Sequence, residues 1–318
     1  MPAAVFLTID TEIVWRHHVA GHDLGELYRR SFEPADVGVS YQLEMLRDYG
    51  LKASFFVDPM PALLYGLDPI KRVVETILAA GQDVQLHLHP MWTGAKVNDR
   101  GASFARFELI EYSRAEQEHL IAGARDLLMA AGAPAPVAFR AGSYAGNDDT
   151  IDALLALGFR YDSSHNGSMQ PWPSAIGLPR NQIAPIMHRG LVEVPVSLIE
   201  ERPGRLRTFQ ICALSAGEMR AALDHAMAAD HAALVIVSHG FELANRAGTA
   251  ANAIHVRRFE ALCEMLAEAS SALVTTTFGA CPALSLDRDD VPLAPSEARL
   301  RWRQAEQFWS NMVAERAA

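Results

Sequence analysis

Two short runs in the chain carry residues able to hold a metal ion. Thr8-Ile9-Asp10-Thr11-Glu12 ends an apolar stretch in two carboxylates, and His87-Leu88-His89-Pro90 places two imidazoles two residues apart. In a strand, residues i and i+2 point to the same face, so each pair can present two side chains to one point. Two imidazoles and a carboxylate, with positions left for water, make the donor set of a catalytic zinc site. For either histidine the alternative is a hydrogen-bonded core residue; for Glu12 it is a solvated loop acid. Further polar groups close other apolar runs. Phe139-Arg140-Ala141-Gly142-Ser143-Tyr144 supplies a guanidinium, Tyr161-Asp162-Ser163-Ser164-His165 a carboxylate, and Ser238-His239-Gly240-Phe241-Glu242 an imidazole.

The elements that must position these groups read as a β–α alternation. Strand-like runs occupy 5–10, 52–57, 83–89, 137–140, 191–196, 234–238 and 273–277, several of them continuously apolar, as parallel strands covered on both faces are. Between them lie helical stripes with their own punctuation. Ile70, Val73, Val74, Ile77 and Leu78 run up to Gly81, and Ser113 with Glu116 and Ser215 with Glu218 fit capping boxes. About seven alternations imply a parallel sheet, open or closed, whose reactive residues gather at the carboxyl ends of the strands.

Composition removes several classes of function. Half of the 318 residues are apolar, which is enough to bury a large core, so a disordered or fibrous chain is excluded. Lys and Arg total 28 against 38 Asp and Glu, a formal charge of −10 with no block of like sign, which argues against nucleic-acid binding or a polybasic membrane contact. Cys212, Cys263 and Cys281 form no CxxC pair and read as reduced thiols. No apolar run approaches the roughly 18 residues of a transmembrane helix. The first residues read as a strand rather than a signal peptide, and the expected location is the cytoplasm.

The set Thr8-Ile9-Asp10, Lys52-Ala53-Ser54-Phe55-Phe56-Val57, Gln85-Leu86-His87-Leu88-His89-Pro90, Phe139-Arg140-Ala141-Gly142, Tyr161-Asp162-Ser163 and Ser238-His239 resembles the polysaccharide deacetylase family (the NodB-homology fold, carbohydrate esterase family four) in order and spacing. The resemblance runs from about Ala4 to Phe278 and is nearest to members linked to lipopolysaccharide and surface-glycan biosynthesis. It implies an α/β fold, a distorted (β/α) barrel of about seven parallel strands over 1–284. A linker and an amphipathic helix over 285–318 would follow. That helix carries Ala298, Trp302, Ala305, Trp309 and Met312 on one face, to pack on the body or on a second subunit in a homodimer.

The resemblance also implies metal-dependent removal of an acetyl group from an N-acetylated sugar or glycan intermediate. Asp10 matches the family's catalytic base, His239 its general acid, Arg140 its arginine and Asp162 the acid supporting that arginine. The family's second acid and second histidine are replaced by Thr11 and Met91, so Glu12 and His89 would join Asp10 and His87 around a divalent metal, zinc in the first instance. Trp92, directly after the histidine run, is a sugar-stacking candidate, and Tyr144 a second substrate contact; Trp15, His17, His18 and His22 suit either sugar recognition or a solvated loop. Relatives on this fold that hydrolyse non-sugar amides or ureides, and a catalytically silent glycan- or partner-binding barrel, are the competing readings.

Overall fold

The computed structural model describes residues 2–97 and 106–314. Its strands are β1 (Ala3–Thr11), β2 (Ala53–Val57), β3 (Asp83–Leu88), β4 (Ala138–Ala141), β5 (Tyr161–Asp162), β6 (Ile186–His188), β7 (Leu191–Glu193), β8 (Leu198–Arg202), β9 (Arg205–Thr208), β10 (Ala233–His239) and β11 (Leu273–Thr275). A curled sheet runs in the order β10-β1-β2-β3-β4-β5-β7-β6, with β11 also paired to β1. Every pairing in it is parallel except β6 on β7. This is the expected distorted (β/α) barrel. The short strand β6 and a separate antiparallel hairpin, β8–β9, are additions that the alternation does not signal.

The period-two rule decides what each strand offers to either side. Along β1, Val5, Leu7 and Ile9 belong to the large cluster packed under the helices, whereas Phe6 belongs to a smaller inner cluster with Phe56, Val235, Val237 and Phe278. The inner register of β1 therefore continues Phe6, Thr8, Asp10 and then Glu12. The same count on β2 puts Asp58 in line with Phe56, on β3 His87 and His89 in line with Gln85, on β4 Arg140 with Ala138, and on β10 His239 with Val235 and Val237. Backbone geometry alone thus delivers these strand-end side chains to one end of the inner face.

Helices cover the outer face with the stripes read from sequence. The helix Asp68–Ala79 buries Ile70, Val73, Val74 and Ile77, and the helix Arg114–Ala130 starts on the Ser113–Glu116 capping box. No helix among the described residues is long and apolar enough to cross a membrane.

The tail is seated by charge. The helix Glu297–Trp309 docks through Leu300 and Arg303, and Arg303 is buried in ion pairs with Glu201 and Glu218. Arg258 adds a 2.8 Å pair with Glu306. Trp302 and Trp309, on the face expected to pack on the body or on a second subunit, are 64% and 62% exposed, so the body does not cover that face. Charge pairing sets the rotation of this helix, and an apolar stripe alone does not report it.

Candidate metal and catalytic site

Glu12, His87 and His89 bring one donor atom each to within 4.8 Å of one another. Glu12 Oε2 lies 2.6 Å from His89 Nε2 and 3.6 Å from His87 Nε2. The contacts lack hydrogen-bond alignment, and Glu12 Oε2 is buried with no hydrogen-bond partner among the described residues. Burial alone would raise the Glu12 carboxyl, but the two imidazoles outweigh it and hold the group well below the usual carboxylate range. His87 Nδ1 donates to the Arg140 carbonyl oxygen at 2.8 Å, since a carbonyl can only accept. That fixes the tautomer and leaves Nε2 with its lone pair toward Glu12, the usual arrangement of a metal-binding histidine. Its basis is the β3–β4 register, which pairs His87 with Arg140. An anionic oxygen with two imidazole nitrogens, crowded and unsatisfied, fits a divalent cation.

The His89 ring is held from behind by Gly142. A Cβ at position 142 would overlap the imidazole. Gly142→Ala is expected to turn His89 away, weaken zinc binding about 10–100-fold, the range for changes around a ligand, and cost about 1–3 kcal/mol of stability through overpacking against the buried ring. A zinc titration with a competing chromophoric chelator checks this.

Asp58, immediately after β2, is a site residue that sequence reasoning missed. It is fully buried, its Oδ1 accepts from Met60 N at 3.0 Å, and its Oδ2 has no hydrogen-bond partner among the described residues. Burial pushes its carboxyl up to about 6, against the pull of His89 and His87. The available signal was position: it is the polar residue closing an apolar strand, like Asp10.

A second group sits beside the first. Arg140 is fully buried over the Phe56 ring. It donates from Nη1 to Asp10 Oδ1 at 2.7 Å and to Thr8 Oγ1 at 2.9 Å, and through Nε and Nη2 to Ser163 O and Oγ, both at 3.1 Å. Oδ2 of Asp10 is the oxygen left open, 3.9 Å from His239 Nε2. Asp10 therefore stands with Arg140, outside the Glu12–His87–His89 group.

On its other side, His239 meets Glu242 Oε2 at 3.8 Å from Nδ1 and Gln210 Nε2 at 3.3 Å. Glu242, a second residue missed from the sequence, also accepts from Gln210 Nε2 at 2.7 Å and from the backbone of His239 and Cys212. Burial works against the charge on His239, but Glu242 and Asp10 outweigh it and lift its pKa to about 9. Glu242 itself is held at about 2, burial notwithstanding, chiefly by His239.

Because the His239 pKa is raised on folding from the unfolded 6.5, its stabilising contribution is complete below about pH 6.5 and is lost as pH rises through about 9. In the metal-free protein, Glu242→Gln is expected to move the NMR-detected His239 titration from about 9 down toward 6.5. An unmoved titration would remove Glu242 from this role.

Two expected site residues, Asp162 and Trp92, are placed differently. Asp162 does not support Arg140. It pairs in register with Phe139, so it lies on the opposite parity from Arg140, and Ser163, one residue on, takes its place. Asp162 instead accepts from Ser164 Oγ at 2.7 Å and neighbours Glu193 across the β5–β7 pairing. Burial pushes both carboxyls up, Glu193 further because Asp162 adds to it. Trp92 is 1% exposed and packs edge-on against Trp15 at 4.8 Å and His18 at 5.3 Å, so it is core and has no free face for a sugar. Tyr144 is half-buried, and its hydroxyl is buried without a hydrogen-bond partner among the described residues. Its phenol is driven far up by burial, and the Asp10 carboxylate adds to the shift. His165 is fully buried, its Nε2 bonded to Pro179 O at 3.0 Å.

Solved structures share this architecture. A Mycobacterium smegmatis protein assigned as a polysaccharide deacetylase is similar at a TM-score of 0.55 with 20% identity, over 91% of this chain and 95% of its own. The two chains share one fold. A 4-alpha-glucanotransferase from Thermococcus litoralis is also similar, at 0.53 and 10% identity over 88% of this chain and 40% of its own. A family 4 carbohydrate esterase from Streptomyces lividans aligns at 0.45 with 14% identity, over 90% of this chain and 98% of its own, too loosely to add an argument. No family model and no curated protein matches the sequence. Since one fold carries both a protein assigned as a deacetylase and a glucanotransferase, the chemistry must be argued from the side chains.

Proposed function

We propose that the protein is a metal-dependent hydrolase that removes the acetyl group from an N-acetylated sugar or glycan biosynthetic intermediate. The observation that carries this reading is the meeting, at one end of the inner face, of a three-donor metal group with two separately supported proton carriers: Asp10 on Arg140, and His239 on Glu242. Likeness of fold to a polysaccharide deacetylase supports the substrate class.

Glu12, His87 and His89 would hold the ion. A divalent cation, zinc in the first instance, supplies polarisation of the acetyl carbonyl and activation of water near neutral pH. Asp10 takes the water's proton on Oδ2, because Arg140 occupies and orients Oδ1. His239 Nε2, protonated through neutral pH, returns a proton to the departing nitrogen, which is too poor a leaving group to go as an anion. Glu242 and Gln210 keep that ring oriented. Thr8 and Ser163 fix the guanidinium that fixes the base.

A panel of acetylated sugar nucleotides, lipid-linked sugars and oligosaccharides, assayed for acetate release, tests the proposal. Metal-dependent release from at least one class is expected. No release from any class by zinc-, cobalt- or manganese-loaded protein would favour the silent barrel, and release only from non-sugar amides would move the substrate. The exposed Trp302, Phe308 and Trp309 suit a homodimer contact within the same reading.

A further inference from the structure

Beside the catalytic group lies a polar cavity of about 440 Å³, walled by Arg180, Arg205, Arg207, Ser168, Thr208 and Gln210. We propose that this cavity binds a diphosphate group through which the acetylated sugar is attached to its carrier. The inference rests on the deacetylase reading of the neighbouring site and adds the class of substrate.

The segment after β9 runs alongside β10, with Val237 N bonded to Phe209 O at 2.9 Å and Ile211 N to Val237 O at 3.1 Å. This parallel bridge sets Gln210 beside His239, so one side chain lines the cavity and also touches His239 and Glu242. A group bound in the cavity is thereby within one residue's reach of the general acid.

Charge favours an anion there. Arg205 and Arg207, on the β8–β9 hairpin, share a single carboxylate, Glu201, which Arg303 also uses. Arg180 has no carboxylate partner among the described residues. Its Nε donates to Gly167 O at 3.3 Å, and Gly167 has no space for a Cβ against the Arg180 carbonyl, so the loop is seated firmly. The cavity therefore keeps an excess of guanidinium in a chain whose net charge is −10. A diphosphate is the natural occupant, because several planar forks match its many oxygens better than they match a single carboxylate. The hydroxyls of Ser168 and Thr208, 2.9 Å apart and tied to Asn166 Oδ1, make the rest of this wall polar.

Calorimetric titration of the full, chelator-treated chain with inorganic pyrophosphate tests the proposal without relying on turnover. One saturable site is expected, weakened at least about tenfold in Arg180→Ala/Arg205→Ala. Both side chains are exposed, so the fold is undisturbed, and Arg180→Lys/Arg205→Lys is expected to retain most of the binding. Uridine diphosphate and farnesyl diphosphate should displace pyrophosphate, and the tighter of the two tells a nucleotide carrier from a lipid one. No saturable binding, unchanged binding in the alanine variant, or failure of both diphosphates to compete would overturn the inference. Pyrophosphate binding with no acetate release from any substrate would instead overturn the deacetylase reading alone.

Discussion

Asp10→Asn is expected to reduce acetate release about 10²–10⁴-fold, the usual worth of a positioned proton acceptor, while leaving the bound metal in place. The two outcomes come apart because the structure separates the two carboxylates. Asp10 is committed to Arg140 at 2.7 Å, and the donor group consists of Glu12, His87 and His89. Asparagine keeps the shape and offers Arg140 an acceptor but removes the charge. Arg140 is fully buried, and breaking a buried pair from one side costs about 3–5 kcal/mol. Its bonds to Thr8 and Ser163 survive, so a loss near the lower end, about 3 kcal/mol, is expected by urea denaturation. If metal left together with activity, Asp10 would be a ligand and the division of labour would be wrong.

His89→Ala is expected to act the other way round. Losing one of three donors should cut zinc affinity by more than about 100-fold, since changes merely around a ligand already cost about 10–100-fold. Activity falls with it. Adding Met91→His to that variant is not expected to restore binding. Met91 is 4% exposed and belongs to the apolar cluster under the helices, so a histidine there points into the core. Recovery of metal in the double variant would show that the loop after β3 can re-seat, and that His89 is not the fixed partner of Glu12.

Much of this arrangement was legible from the chain. Alternation on β1 and β3 suffices to put Asp10 with Glu12 and His87 with His89, because a strand's period is fixed by its backbone. Asp162 shows the limit of the same rule. Its place in a motif order suggested a partner for Arg140, but only the register of β5 on β4 reveals that it points away and that Ser163 points in. Asp58 becomes visible only when the inner register of β2 is extended one step beyond Val57. Glu242 could be read as a strand-end acid, yet its role depends on a turn that folds it back on His239 and on Gln210 arriving from a distant segment. Trp92 failed for a similar reason: its burial is made by Trp15, His18 and Tyr65, which no local pattern brings together. On the last helix, periodicity found the aromatic stripe, and the long-range pairs of Arg303 with Glu201 and Glu218 decided which side faced inward.

The most direct test of a metal-dependent site is the metal content of the purified wild-type chain, by elemental analysis, after exposure to zinc, cobalt and manganese and removal of the excess. About one equivalent of one of these ions per chain is expected, as one three-donor group should hold. Less than about a tenth of an equivalent of every ion would contradict the account, whatever else the protein binds.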